Sequence, residues 1–408
     1  MNPPSLDSIE NKMPSFKTQY SGYAVEFSPF EDDKLGVATS QHFGIAGQGR
    51  QYILQNDRDS QTIKKLHTFD TDDGLYDCTW NEENENQIIS CSGDGSIKVF
   101  DTTQSQSGEG APVMNFAEHS KEVYCVDYNT VNKDCFVSGS WDNTIKLWNL
   151  SSGAGSGQSS GSSIETFDEH RYCVYSTIFS PSNGDLFMSC SGDMTMKIWD
   201  VHDISSLQSA QVHNYEVLTG DWNKYNENIV CTGAVDKTIK VWDLRNLNQH
   251  GSGTVMGGQS SQDSSLCTLS GHGFAVRRVK FSPHDENIIG SVSYDMSLCI
   301  WDTEQGSDNA LLEKYEHHSE FVVGLDFNLE MEDELASCSW DETVYVWLRG
   351  EEPVPTHEED ENDGDEEENE IISQFRQVLG LARGGGGVEG DDEYEEDEDD
   401  EEEDDDVE

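Results

Sequence analysis

The chain has 408 residues, with 81 acidic against 24 basic side chains and a formal net charge of −57. Residues 351–408 hold 29 of the acids, with Arg376 and Arg383 as the only bases, yet the preceding body is strongly acidic as well. A surface of that sign repels phosphate backbones, which argues against nucleic acid as a partner and favours a basic one.

In chain order, MNPPSLDSIENKMPSFK comes first. It lacks the apolar run of a secretory signal, and residues 1–11 read as a disordered lead-in. GYAVEFSPF and KLGVATS then read as the first two strands of a degenerate repeat. Six segments with one pattern follow: CSGDGSIKVFD, SGSWDNTIKLWN, SCSGDMTMKIWD, TGAVDKTIKVWD, SVSYDMSLCIWD and SCSWDETVYVWL. Each carries a turn aspartate: Asp94, Asp142, Asp193, Asp236, Asp295 and Asp341. An aromatic stands six residues later (Phe100, Trp148, Trp199, Trp242, Trp301, Trp347), and a hydroxyl four residues earlier (Ser90, Ser138, Ser189, Thr232, Ser291, Ser337). In five segments a histidine lies 23 residues before the aspartate: His119, His170, His213, His272 and His318. Thr71 holds that place in the first segment.

These are WD40 spacings, and they predict an all-β, seven-bladed WD40 propeller over residues 12–350. Each set is a polar tie. The histidine donates to the aspartate, its other nitrogen meets the hydroxyl, and the hydroxyl meets the indole, so groups that are costly to bury alone satisfy one another. The degenerate blade has Thr18 and Gln41 at the histidine and aspartate positions, so its tie is missing. No apolar strand follows Trp347, so the last blade must borrow its outer strand from about Lys12–Phe16, which removes the sheet edges.

His119, Ser138 and Asp142 also look like a hydrolase triad. The same trio recurs in five blades, however, and no G-x-S-x-G elbow, P-loop or H-E-x-x-H motif occurs, so no enzyme is expected. The cysteines are scattered, without a C-x-x-C pair, and read as reduced core residues. Neither a metal nor a cofactor is expected, and no apolar run is long enough for a membrane span.

Three Gly/Ser-rich inserts, near 103–112, 151–163 and 248–265, each follow a third strand and precede a fourth. All three therefore leave by one face, and the opposite face is left for recognition. Three positions per repeat point to its centre. One set is Gly74, Glu122, Cys173, Glu216, Ala275 and Phe321. A second is Tyr76, Tyr124, Tyr175, Leu218, Arg277 and Val323, with Tyr23 from blade one. The third is Gly93, Trp141, Gly192, Val235, Tyr294 and Trp340. Aromatics around Glu122 and Glu216, with Asp72 and Asp73 at the rim, suit a basic amphipathic helix.

Several strings exceed the generic repeat: GYAVEFSPF, TSQHFGIAGQG, DGLYDCTWNEENEN, DWNKYNENIVCTGAVDKTIKVWDLRN, EHHSEFVVGLDF and CSWDETVYVW. Through them the chain, from about Gly22 to Trp347, resembles the family of peroxisomal receptors for type 2 targeting signals (peroxin-7). The resemblance implies a cytosolic receptor that shuttles to the peroxisome matrix. It would bind an N-terminal nonapeptide of the form R/K–L/V/I–five residues–H/Q–L/A on cargo proteins. A co-receptor and peroxisomal docking proteins would be its other partners. It further implies that Glu122 and Glu216 receive the basic residues, over an apolar floor of Tyr76, Tyr124, Trp141, Tyr175 and Trp340, with Tyr294 and Asp73 beside it.

The tail, 351–408, lies outside that family pattern. It reads as acidic and disordered around one short helical stripe, Ile371, Phe375, Val378, Leu379 and Ala382, within 371–383. Two rival readings keep the binding class, a histone-binding WD40 chaperone and a ubiquitin-ligase substrate adaptor. The first leads one to expect a long helix before blade one, and the second an appended docking element. Neither feature is present in the sequence.

Overall fold

A computed structural model describes residues 13–104, 110–150, 159–247 and 264–350. The lead-in 1–11, most of the inserts, and the tail with its 371–383 stripe lie outside the described residues.

Seven antiparallel sheets of consecutive strands follow one another along the chain. The blades span residues 21–71, 75–116, 123–167, 174–211, 217–270, 276–315 and 322–348. Blade four shows the plan: Val174–Phe179 innermost, then Leu186–Ser191 and Thr195–Asp200, with Asp203–Gln211 outermost. The borrowed strand that completes blade seven is Ser15–Lys17, slightly further along than the expected Lys12–Phe16. It pairs antiparallel with Tyr345, Val344 and Thr343. Met13 is buried beside Tyr315 and Trp347, and Pro14 O accepts a hydrogen bond from Val346 N at 3.1 Å.

The core lies between blades. Leu75, Trp80 and Ile88 of blade two, for example, pack on Ala38 and Ile53 of blade one. Carboxylates on inner strands also accept the backbone N–H of the next blade, Asp127 from Phe179 at 2.7 Å, Asp221 from Phe281 at 2.6 Å and Asp326 from Phe27 at 2.8 Å. These bonds fix the blade-to-blade spacing around the axis. Gly139 marks how tight that spacing is, since a Cβ there would stand 2.7 Å from Cys125 Sγ and from Val174 Cγ1.

Each insert does join a third strand to a fourth. The second insert also does something its composition does not announce. Ser159–Ser160 pairs in parallel with Met114–Asn115, adding a fifth strand to the edge of blade two. No helix among the described residues is long and apolar enough to cross a membrane.

Candidate functional site

One irregularity recurs in every blade. The pairing of first and second strands skips one residue, between Gly22 and Ala24, Leu75 and Asp77, Val123 and Cys125, Val174 and Ser176, Val217 and Thr219, Val276 and Arg278, and Val322 and Gly324. A bulge turns its extra side chain out of the alternating pattern. The seven bulged residues are Tyr23, Tyr76, Tyr124, Tyr175, Leu218, Arg277 and Val323. They form a ring at the end of the axial channel that also carries the turn aspartates.

Four consecutive members of the ring are tyrosines in contact. Centroids lie 5.2 Å apart for Tyr23–Tyr76, 5.3 Å for Tyr76–Tyr124 and 5.6 Å for Tyr124–Tyr175. Trp141 stacks on Tyr124 at 5.5 Å, and Trp340 meets Tyr23 at 5.8 Å and Tyr294 at 6.4 Å. The degenerate blade closes the middle. Its second hairpin is lengthened from Gln41 to Gln48 and turns through His42 and Phe43 at positive φ. Phe43 packs on Trp340 at 5.3 Å. The hydroxyls of Tyr23 and Tyr76 donate to Phe43 O at 2.5 Å and Gly44 O at 2.6 Å.

Exposure separates the expected site residues. Tyr76, Tyr294 and Trp340 are only 7, 5 and 4 % exposed, so they support the floor from beneath. Tyr124, Trp141 and Tyr175 are half-buried, as are Glu122, Glu216 and Asp73. The open apolar surface lies further out. Tyr172 and Tyr215 are 51 and 59 % exposed, with Phe274 beside them in the next blade. Each stands two residues after a tie histidine. Sequence reasoning missed all three, although that register is readable from the repeat. Lys121, Arg171 and Lys237 are also exposed here, so the rim is not uniformly acidic.

Glu122 and Glu216 enter from blades three and five, and neither carboxylate forms an ion pair among the described residues. Burial lifts the Glu216 carboxyl above its usual range. Cys173, from the blade between them, has its thiol raised by burial first, and both glutamates add to the effect. Asp73 is engaged locally, accepting from Gly74 N at 2.7 Å.

The tie residues converge beneath this face. His119 Nδ1 lies 2.9 Å from Asp142, its Nε2 lies 2.8 Å from Ser138, and Trp148 Nε1 donates to Ser138 at 2.8 Å. His170 with Asp193, His213 with Asp236 and His272 with Asp295 repeat the pattern at 2.8, 2.9 and 3.1 Å, and an indole reaches the hydroxyl each time. Blade seven differs. His318 holds Asp341 and Ser337 at 2.8 Å each, but Trp347 does not bond that hydroxyl, and His317 Nε2 stands 3.4 Å from it instead. In blade two, Ser90 donates to Gln51 of blade one at 2.9 Å. The hydroxyl of each trio is fully buried. No group of three or more possible metal ligands occurs among the described residues.

The WD domain, G-beta repeat family matches residues 63–101, 110–149, 161–200, 204–243, 263–302 and 309–347. Over 318 residues the chain is 52% identical to a Dictyostelium discoideum protein named peroxisomal targeting signal 2 receptor, covering 78% of this chain and 92% of that one. A Mus musculus protein of the same name is 42% identical over 327 residues, 80% of this chain and 93% of its own. An Arabidopsis thaliana protein named peroxisome biogenesis protein 7 is 43% identical over 341 residues, 84% of this chain and 99% of its own.

Proposed function

We propose, for a chain that belongs to the WD40-repeat family of peroxisomal targeting signal 2 receptors, that it binds the N-terminal type 2 signal of peroxisomal matrix proteins. It then delivers that cargo from the cytosol to peroxisomal docking proteins, with a co-receptor, and shuttles to the matrix. The observation that carries this reading is the 52% identity, which spans 92% of a relative of that name.

The face agrees with such a ligand. An amphipathic helix buries its apolar stripe on aromatic side chains at the centre of an interface, where exclusion of water makes each contact count. Tyr172, Tyr215, Trp141 and Tyr175 offer that surface. A half-buried carboxylate without a cation is poorly solvated, so a ligand arginine or lysine gains most at Glu216 and Glu122. A bound cation works against the upward pull that burial exerts on the Glu216 carboxyl. A catalytic reading of the His–Ser–Asp trios is disfavoured because their hydroxyls, Ser138, Ser189, Thr232, Ser291 and Ser337, are fully buried.

The test uses the full chain and a fluorescent type 2 signal peptide, with and without a co-receptor. Replacing the peptide's basic residue by alanine should weaken binding about tenfold or more. Absence of binding by the intact peptide under both conditions contradicts the reading.

A further inference from the structure

Among the seven bulged residues, six are tyrosine, leucine or valine, and one is charged. Arg277 is 3 % exposed, and its Nε and Nη2 have no hydrogen-bond partner. It forms no ion pair among the described residues. Its guanidinium lies over the Tyr124 ring, 4.7 Å from the centroid. An aromatic face offsets part of the lost hydration but leaves the in-plane N–H donors unmet. A buried, unpaired cation is costly to keep, and the sister blades show that this position tolerates an apolar residue.

Asp77, the acid that acts on Arg277, is already committed, as are two other inner-strand acids. Asp77 pairs with Arg278 at 2.9 Å, Asp221 with Lys224 at 2.9 Å, and Asp326 with Lys280 at 3.4 Å. Burial pushes Glu26 up to about 8 and Asp127 to about 7, so the negative charge of both is reduced. Arg277 also lines a cavity of about 40 Å³, walled by the cations Arg278 and Lys280 as well as by Glu26, Asp77 and Asp127. That volume holds roughly two or three water-sized groups. It suits the two oxygens of a planar carboxylate and is tight for a tetrahedral oxyanion.

We propose that Arg277 is the recognition residue of an anion site at the axial mouth, and that the site takes a carboxylate group. A planar guanidinium fork matches that group in two parallel hydrogen bonds. The occupant is either a glutamate or aspartate side chain of the docked polypeptide or a free small carboxylate. The site stands on Arg277 itself and not on the receptor reading. It makes the face dual, with carboxylates around the rim and a cation at its centre.

Two arms test it on the full chain. In the first, thermal unfolding is followed in sodium formate against equal sodium methanesulfonate. Formate should raise the wild-type midpoint by about 2 °C or more at concentrations well above Kd. Arg277→Met, which fills similar volume without the charge, should show no difference between the salts, and Arg277→Gln is the second neutral variant should that one fail to fold. In the second arm, signal peptides with glutamate or glutamine at one variable position are compared. Severalfold tighter binding of the glutamate peptide to wild type, lost in Arg277→Met, identifies a ligand side chain as occupant. A formate response alone identifies a free carboxylate. If neither arm responds, or if the neutral variants respond as wild type does, the anion site is refuted. A chain that binds no signal peptide at all overturns the receptor reading, and the formate arm still decides the site.

Discussion

Ser138 shows how much one hydroxyl holds. It meets His119 Nε2 and the Trp148 indole, both buried, each at 2.8 Å. Asp142 stays ionised. Burial works against it, but hydrogen bonds from His119 and Thr144 hold its carboxyl well below the usual range. Nδ1 therefore carries the proton, Nε2 accepts from Ser138, and Ser138 accepts from Trp148. Removing the hydroxyl strands two buried groups, so Ser138→Ala should cost about 2–6 kcal/mol in chemical denaturation, at roughly 1–3 per stranded group. His317 carries a pH prediction. Burial, and then the adjacent His318, depress its pKa to about 2. The unfolded chain thus takes up a proton there below about pH 6.5 while the folded protein does not. Stability is full above that pH and falls as pH drops, by up to about 1.4 kcal/mol per unit. His317→Leu should flatten the decline between pH 6.5 and 5 by that slope. Glu26 and Asp127 are raised instead and slope the opposite way, so the wild-type/variant difference is the quantity to measure. Identical slopes would contradict the assignment.

Among elements, the closing strand and the central hairpin had different visibility in the sequence. The want of an apolar segment after Trp347 forces a borrowed strand, and Ser15–Lys17 supplies it. A chain beginning at Ser21 should expose the Thr343–Leu348 edge, lower the unfolding midpoint and self-associate with rising concentration in sedimentation. A monomer of unchanged midpoint would show that the closure contributes nothing. The tie was legible because one spacing recurs five times. The bulges were not, since a skipped partner leaves no mark on residue type. Degree of burial was not legible either: Tyr76, Tyr294 and Trp340 are buried, while Tyr172, Tyr215 and Phe274, two residues past their histidines, carry the exposure. TSQHFGIAGQG stood out as a string, but its role in capping the axis depends on two tyrosine hydroxyls from separate blades.

The described residues form a seven-bladed ring whose aromatics, with Glu122 and Glu216 outside any ion pair among those residues, lie at the end that carries the turn aspartates. The seven-blade architecture could be read from periodicity, whereas the proposed ligand rests on similarity to receptors of that name. Net charge speeds the encounter with a basic ligand, so association should slow as salt screens it. The most direct test of the central claim is the Kd of a type 2 signal peptide for wild type and for Glu122→Lys/Glu216→Lys. The double variant should keep the wild-type unfolding midpoint within about 1 °C, because both side chains are half-exposed and unpaired. Its affinity should fall at least about a hundredfold, as two cation contacts become repulsions. Unchanged affinity in a folded variant would place the signal elsewhere and contradict the account.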